Sequence, residues 1–276
     1  MSLAFTKMHG LGNDFVVIEA GDDAAVPSAA RWRALADRHT GIGFDQALVI
    51  LPPRRSDALA YYRIFNADGG EVEQCGNGTR CVAEWLRLHG RVSAGDDGAE
   101  PAVVLRLDSP GGRIEASFGE PGTVAVNMGV PRFAAAGETS VDLDGTTVNF
   151  TQVSMGNPHA VLQVDDVDTA PVATLGARLE SHPFFPDRTN VGFLQIIDHG
   201  HARLRVFERG VGETRACGTG ACAAMATARR AGLLGEAARI SLPGGDLEIR
   251  WPGEGAPLWM TGPAVVAFRG QVDGGS

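Results

Sequence analysis

Two glycine-framed cysteine motifs, Cys75-Gly76-Asn77-Gly78 and Cys217-Gly218-Thr219-Gly220, lie 142 positions apart in this chain. The same offset joins Arg63-Ile64-Phe65-Asn66, which precedes the first motif, to Arg205-Val206-Phe207-Glu208, which precedes the second. Nearer the N-terminus, the Asn13 and Gln46 regions recur 144 positions later, around Asn157 and Asn190. A period this long exceeds that of solenoid repeats. The sequence therefore predicts a duplicated domain.

The hydrophobic pattern predicts many short strands and few helices, an α/β protein of the α+β type. The predicted helices are Ser28–Arg38, Gly78–Leu88, Val172–Ser181 and Gly220–Ala231. The predicted strands are Phe15–Glu19, Ala47–Leu51, Leu59–Phe65, Val103–Asp108, Arg113–Phe118, Thr123–Met128, Thr147–Val153, Ala160–Val164, Val191–Ile197, Ala202–Phe207, Arg239–Leu242, Asp246–Trp251 and Ala264–Phe268.

The last predicted helix, Gly220–Ala231, is nearly all alanine and has no polar face, so we expect it to be surrounded by protein on all sides. We place the domain boundary near Gly129-Val130-Pro131. The last strand is expected to return to the first domain. The predicted domains are residues 1–129 plus 264–276, which carry Cys75, and residues 130–263, which carry Cys217.

Bulk composition is typical of a soluble globular protein, with 44% hydrophobic residues. A net charge of −9 argues against nucleic acid and anionic membranes as partners. We find no membrane-length apolar run and no signal-peptide pattern, and we expect a cytoplasmic location. Lys7 is the only lysine, and its surroundings are unlike a pyridoxal site. Four cysteines without a Cys-x-x-Cys spacing argue against a structural metal.

The cysteines fall into two kinds. Cys81 and Cys222 lie inside apolar helices, where a thiol usually serves as a small hydrophobic side chain. Cys75 and Cys217 occupy equivalent repeat positions before a glycine at a predicted helix start, where the helix dipole favours the thiolate and lowers its pKa. Two such thiols facing each other would remove a proton from one side of a carbon and return one to the other.

The residues around these cysteines suit a zwitterionic ligand. Backbone N–H groups at a helix N-terminus form an anion site, so the glycine motifs are expected to hold a carboxylate. Glu208 and Arg209 suit an ammonium and a carboxylate, although a surface ion pair is an equal alternative. The side-chain amides expected to line the site, unless they serve only turns, are those of Asn13, Gln46, Asn66, Asn77, Asn157 and Asn190. His159 is either a hydrogen-bonding neighbour or a packing residue, and we do not assign it as a base.

Several stretches resemble the diaminopimelate epimerase family, in family order over nearly the whole chain. They are Met8-His9-Gly10-Leu11-Gly12-Asn13-Asp14-Phe15, Asn66-Ala67-Asp68-Gly69-Gly70-Glu71-Val72-Glu73-Gln74-Cys75-Gly76-Asn77-Gly78-Thr79-Arg80, Gly156-Asn157-Pro158-His159, Thr189-Asn190-Val191, Glu208-Arg209-Gly210-Val211-Gly212-Glu213-Thr214 and Ala216-Cys217-Gly218-Thr219-Gly220-Ala221-Cys222. One departure is Gly70, where the family often has serine.

The resemblance implies a cofactor-independent isomerase that interconverts LL- and meso-diaminopimelate, in lysine and peptidoglycan precursor synthesis. It implies that Cys75 and Cys217 are the catalytic acid and base. It implies two similar, pseudo-symmetric α/β domains, each a curved, mostly antiparallel sheet around a central helix, with the site in the cleft, and usually a homodimer. The substrate-binding residues that it implies are Asn13, Gln46, Asn66, Gly76, Asn77, Asn157, Asn190, Glu208, Arg209, Gly218 and Thr219.

Three other functions remain open from the sequence. A proline or hydroxyproline racemase would share the paired cysteines, but Glu208-Arg209 and the amides favour a longer substrate with a second zwitterionic end. A non-catalytic amino-acid-binding protein would explain the polar lining but not both thiols. A thiol redox protein normally places its two cysteines close in sequence.

Overall fold

The computed structural model describes residues 2–73, 75–92, 104–120 and 122–273. Gln74 of the first cysteine motif and Val103 of one predicted strand lie outside these residues. The chain divides into two compact units, one formed by Met1–Val126 with Thr261–Ser276 and the other by Asn127–Met260. Within the described residues, no helix is long and apolar enough to cross a membrane.

The described residues of the first unit contain two α-helices and a short 3₁₀ helix, Asp23–Ala25, among their strands. The helices are α1 (Ala29–Ala36) and α2 (Gly76–Leu88). Its strands, of which β8 runs one residue past the unit, are β1 (Ser2–Gly10), β2 (Asn13–Glu19), β3 (Gln46–Leu51), β4 (Ala60–Asn66), β5 (Glu71–Val72), β6 (Val104–Ser109), β7 (Gly112–Phe118) and β8 (Thr123–Asn127).

The second unit repeats this order of elements. Its helices are α3 (Val172–Glu180) and α4 (Gly218–Arg230). Its strands are β9 (Arg132–Leu143), β10 (Thr146–Ser154), β11 (Pro158–Gln163), β12 (Asn190–Asp198), β13 (His201–Glu208), β14 (Gly212–Thr214), β15 (Ala237–Leu242), β16 (Gly245–Arg250) and β17 (Trp259–Pro263), which ends beyond the unit. The last strand, β18 (Val265–Asp273), belongs to the first unit and pairs with β1.

Strand pairing is duplicated as closely as the order of elements. β2 and β3 are parallel, as are β11 and β12. β4 and β6 are parallel, as are β13 and β15. The hairpin pairs β1–β2 and β3–β4 of the first unit, and β10–β11 and β12–β13 of the second, are antiparallel. Phe15 lies opposite Gln46 in the first unit, and His159 lies opposite Asn190 in the second. The predicted duplication and the mixed, mostly antiparallel α/β class are both confirmed.

The sheet of each unit is buried on both faces. In the first unit α2 packs against β1, β2, β3 and β7, while Trp32 and Leu35 of α1 cover Val16 and Val49 on the other face. In the second unit α4 packs against β10 to β13, β15 and β16, and α3 covers β12 and β13. This double burial explains why β3 reads as a continuous apolar run rather than an alternating one. The prediction that α4 is enclosed is confirmed, because Gly220 to Ala226 are all buried.

Both cysteine helices begin two residues earlier than predicted, at Gly76 and Gly218. The reason is that each cysteine carbonyl already accepts the first helical hydrogen bond, from the N–H of Thr79 at 2.8 Å and of Ala221 at 2.9 Å. The glycines therefore belong to the first helical turn and do not precede it. Five observed strands lie outside the predicted set: β1, β5, β9, β14 and β17.

Candidate active site

Cys75 and Cys217 are the residues that cap the N-termini of α2 and α4. Both have extended backbone, with φ of −150° and −125°, before the chain enters the helix. The first N–H groups of a helix have no partner within it, and here they follow directly after each sulfur-bearing residue. Each cysteine therefore stands beside a helix N-terminus that is suited to an anion.

The sulfur of Cys75 accepts a hydrogen bond from the N–H of Gly78 at 3.4 Å, in a half-buried position. Behind it, Thr79 Oγ1 donates to the Cys75 carbonyl at 3.1 Å and lies 2.7 Å from the hydroxyl of Tyr62. Tyr62 is fully buried, and burial raises the pKa of its phenol, which stays protonated at neutral pH. The backbone carbonyl of Cys75 is thus held by Thr79, whose hydroxyl is in turn held by Tyr62.

The sulfur of Cys217 has the opposite kind of partner. Its Sγ–H donates to Glu208 Oε2 at 3.1 Å, and the other oxygen of Glu208 accepts from the hydroxyl of Thr214. Cys217 is 4% exposed, and burial, followed by the adjacent Glu208 carboxylate, raises the pKa of its thiol well above the usual value. The sequence expectation of a lowered pKa is wrong for Cys217 in this structure, because these two effects outweigh the N–H of Gly220.

The other two cysteines, Cys81 and Cys222, are fully buried within α2 and α4. Burial raises the pKa of Cys81 to about 12. None of the four cysteines forms a disulfide. Cys81 and Cys222 therefore have the surroundings of packing residues, in contrast to Cys75 and Cys217 at the helix starts.

The predicted amides of the first unit form two hydrogen-bonded pairs. Gln46 and Asn66 lie opposite each other on β3 and β4, and Gln46 Nε2 donates to Asn66 Oδ1 at 2.9 Å. Asn77 Nδ2 donates to Asn13 Oδ1 at 3.3 Å. The Oε1 of Gln46 is buried and has no hydrogen-bond partner among the described residues.

In the second unit Asn157 connects His159 to the start of α4. Asn157 Nδ2 donates to Thr219 Oγ1 at 3.3 Å, and its Oδ1 lies 3.0 Å from His159 Nε2. An amide oxygen only accepts, so Nε2 carries the proton. Burial, with a smaller contribution from Arg209, lowers the pKa of His159 to about 3. A neutral ring with this pKa orients Asn157 and is poorly suited to general base catalysis at neutral pH.

Asn190 has a different environment from the one expected of a ligand-binding amide. Its Nδ2 donates to the Pro158 carbonyl and its Oδ1 accepts from the N–H of Arg209, both at 3.0 Å. Its amide therefore joins β11 to the turn that follows β13. The Arg209 guanidinium donates to the carbonyl of Asp187 at 2.9 Å.

Several residues beside the predicted ones were missed from the sequence. Glu180, buried on α3, accepts from the N–H of Gly210 at 2.9 Å and pairs with Arg188, which fixes the turn that carries Arg209. Thr214 holds Glu208, and Asp45 holds Asn13. Asp45 could have been noticed because it directly precedes Gln46. Its equivalent in the second repeat is Thr189, however, so the duplication did not indicate a function for it.

The predicted site residues thus lie in two groups, one in each unit, around the start of α2 and the start of α4. Asn13, Gln46, Asn66, Cys75, Gly76 and Asn77 belong to the first group, and Asn157, Asn190, Glu208, Arg209, Cys217, Gly218 and Thr219 to the second. No cluster of three His, Cys, Asp or Glu side chains that could hold a metal ion occurs in the part of the chain that the structure describes.

Solved structures with the same fold include a hydroxyproline epimerase and a phenazine biosynthesis protein. A hydroxyproline epimerase from Agrobacterium vitis, solved with bound trans-4-hydroxy-L-proline, superposes with a TM-score of 0.71 at 19% identity over 98% of this chain and 92% of its own. A phenazine biosynthesis protein of the PhzF family from Bacillus anthracis gives a TM-score of 0.73 at 17% identity over 99% of both chains. The two-unit fold is therefore that of this group of proteins.

Sequence comparison identifies the particular family. The profile of the family described as diaminopimelate epimerase matches residues 5–134 and 151–267. The diaminopimelate epimerase of Ectopseudomonas mendocina is 50% identical over 99% of this chain and 99% of its own. That of Nitrosomonas europaea is 49% identical over 99% and 100%. The chain belongs to the diaminopimelate epimerase family, which confirms both the predicted resemblance and the predicted isomerase class.

Proposed function

We propose that this protein interconverts LL- and meso-2,6-diaminopimelate without a cofactor, with Cys75 and Cys217 as the acid–base pair. The observation that carries the proposal is the combination of full-length identity of about half to proteins of that name with two helix-capping cysteines at equivalent repeat positions. One cysteine removes the α-proton, and the other returns a proton to the opposite face of the carbon.

The developing negative charge goes to the substrate's α-carboxylate. Removal of the α-proton moves electrons onto that carboxylate as an enediolate, so donors aimed at its oxygens lower the barrier. We assign this role to the first-turn N–H groups of Gly76, Asn77, Gly218 and Thr219. The helix dipoles act in the same direction.

The two sulfurs begin in different protonation states. Cys75 accepts from the N–H of Gly78, a contact that suits a thiolate, whereas Cys217 donates its proton to Glu208. We therefore propose Cys75 as the resting base and Cys217 as the resting acid. The roles exchange in the reverse direction, when the Cys217 thiolate takes the proton and Cys75 returns one.

The remaining polar residues recognise the rest of the substrate. Glu208 and Arg209 carry the opposite charges that a second amino-acid end requires. Asn13, Gln46, Asn66, Asn157 and Asn190 complete the polar lining, Asn190 through the backbone of Arg209. We propose that the two compact units are the two epimerase domains, each carrying one catalytic cysteine.

The test is α-proton exchange in heavy water with LL-diaminopimelate and no added cofactor. Cys75→Ala and Cys217→Ala should both lose epimerisation. Cys81→Ala and Cys222→Ala make the same chemical change on the same helices and should keep it. Full turnover by either Cys75→Ala or Cys217→Ala would contradict the two-base mechanism.

A proline-type racemase is the rival enzyme, favoured only by the shared fold with the hydroxyproline epimerase. Exchange of the α-proton of L-proline or trans-4-hydroxy-L-proline, but not of diaminopimelate, would support that alternative. A protein that binds diaminopimelate and exchanges no proton would be a binding protein.

The family's role implies lysine and peptidoglycan precursor synthesis, which we propose takes place in the cytoplasm. We also propose a homodimer. A mass in solution equal to one 28.9 kDa chain, measured by light scattering, would contradict the dimer.

A further inference from the structure

We propose that Asp45 and Arg80 are positioning residues that fix which way the side-chain amides of Asn13 and Asn77 point. They do so by terminating a chain of hydrogen bonds that can run in one direction only. The proposal rests on the proposed function, because Asn13 and Asn77 matter only if they bind the substrate.

Arg80 defines the first end of this chain. Its guanidinium is fully buried on α2, and Nη2 donates to Asn77 Oδ1 at 2.9 Å while Nε donates to the Pro263 carbonyl at 3.3 Å. Arginine has five donors and no acceptor, so the Asn77 atom that faces it must be the oxygen. Gly10 makes room for this arrangement, because a Cβ there would lie 3.0 Å from Nη2.

Asp45 defines the other end. Its Oδ2 accepts from Asn13 Nδ2 at 3.0 Å and from the N–H of Asp14 at 3.1 Å. An ionised carboxylate has no donor, so the Asn13 atom that faces it must be the nitrogen. Between the two ends, Asn77 Nδ2 donates to Asn13 Oδ1 at 3.3 Å. All three steps run the same way, from Arg80 to Asp45.

The Asp45 carboxylate is itself held in place and neutralised. Arg38 Nη2 bridges Asp45 Oδ1 and Asp14 Oδ1, at 2.8 Å each, and the N–H of Asp45 donates to Asp14 at 3.0 Å. Lys7 pairs with Asp14 and also donates to the carbonyl of Gly43. Lys7 and Arg38 thus balance the charges of Asp14 and Asp45. This balance allows a carboxylate to lie beside a site that must bind an anionic substrate.

The fixed direction decides what a ligand meets. The hydrogen-bond chain fixes the position of Nδ2 in both asparagines. Each amide then has one N–H and one oxygen lone pair left for the substrate, and both point in a fixed direction. A rotated amide would turn its carbonyl oxygen toward a substrate oxygen, which needs a hydrogen-bond donor. Asparagine orientation is ordinarily set by whichever contacts are available, and here the two charged ends remove the choice.

The experiment compares Asp45→Asn with Asp57→Asn. Asp45 uses one oxygen to accept from Arg38 and the other to accept from Asn13 and the N–H of Asp14. In the first variant one of these two acceptors becomes an NH₂ group, so the Asp45 end no longer imposes a direction and Arg80 alone holds the hydrogen-bond chain. Asp57 pairs with Arg113 on an exposed surface and has no contact with Asn13, which makes it the matched control. We expect kcat/KM to fall about tenfold in Asp45→Asn and to stay unchanged in Asp57→Asn. Equal activity in the two variants would overturn the proposal.

Side-chain amide NMR gives a readout that a general loss of stability would not produce. Resonances of Asn13 and Asn77 are assigned from Asn13→Ala and Asn77→Ala. The Asn77 amide pair should shift in Asp45→Asn, although Asn77 does not contact the substituted side chain, and should not shift in Asp57→Asn. An unmoved Asn77 pair would refute the chain.

The wild-type protein keeps the test decisive if Asp45→Asn does not fold. Its Asn13 and Asn77 amide protons should exchange with water more slowly than those of the exposed Asn149, and equal rates would overturn the proposal. Wild-type α-proton exchange is measured first. Its absence would count against the proposed function, while the NMR comparison would still judge the hydrogen-bond chain.

Discussion

Replacement of Gly220 by alanine should slow catalysis without weakening the fold. A Cβ on Gly220 would lie 3.0 Å from Val206 Cγ2, 3.2 Å from Cys217 Sγ and 3.3 Å from Cys217 Cβ. Comfortable carbon contacts begin at about 3.5 Å, so the sulfur must move by roughly 0.3 to 0.5 Å. The helical backbone itself accepts alanine, which in a helix interior is more stable than glycine by about 0.5–1 kcal/mol.

The size of the catalytic effect follows from the displacement. A misplacement of about 1 Å costs on the order of 100-fold in rate, so half that distance should cost about tenfold, or about 1.4 kcal/mol in the barrier. We expect kcat to fall about tenfold while the melting temperature changes little, because crowding against the buried Val206 offsets the gain in helix stability. Steady-state epimerisation and thermal unfolding measure the two quantities on the same preparation.

The equivalent glycine of α2 provides the control. A Cβ on Gly78 would meet Leu48 Cδ2 at 3.0 Å, the end of a flexible side chain, and Cys75 Cβ only at 3.5 Å. Because Leu48 can move and the Cys75 sulfur need not, Gly78→Ala should lose less than about threefold. Wild-type kcat in Gly220→Ala, or a larger loss in Gly78→Ala, would refute the reasoning.

Two further predictions concern protonation. Glu208→Gln removes a carboxylate that raises the pKa of Cys217. The pH midpoint for alkylation of Cys217, measured by peptide mass spectrometry, should therefore fall. The control Glu213→Gln breaks only the ion pair with Arg205 and should leave this midpoint unchanged. His159 has a folded pKa of about 3, against about 6.5 when unfolded, so the unfolded state binds the extra proton and the free energy of unfolding should decline as the pH drops from about 6.5 toward 3. In His159→Phe this part of the pH dependence should disappear in denaturant titrations, and its persistence would show that other groups cause it.

Much of the fold was predictable because the duplication repeats the residues that begin and end the helices and strands. Glycine motifs and apolar runs located each α-helix and most strands of the described residues, and the Gln46–Asn190 equivalence holds in the strand register. Strand β1 was missed because Thr6, Lys7 and His9 interrupt its apolar pattern. Strand β9 was missed because its Ala-Ala-Ala-Gly run has low strand propensity, and its pairing with β10 overrides that preference.

The residue types of the site were predictable, but their partners were not. The sequence indicated Cys217 and Glu208 as separate functional residues. Their hydrogen bond depends on how β13 and α4 approach each other. Burial, followed by the adjacent Glu208 carboxylate, reverses the expected direction of the Cys217 pKa shift. The same holds for Asn190, whose amide binds backbone that no local pattern identifies.

The shared pairing order of the two units has an evolutionary consequence. A site built from two copies of a half-length ancestor would change both of its halves with every mutation. In a single chain each half changes independently, and the two halves differ at matched positions: Phe15 corresponds to His159, and Asn66 to Glu208. A chain that began as a symmetric pair could in this way acquire one cysteine beside an N–H group and one beside a carboxylate.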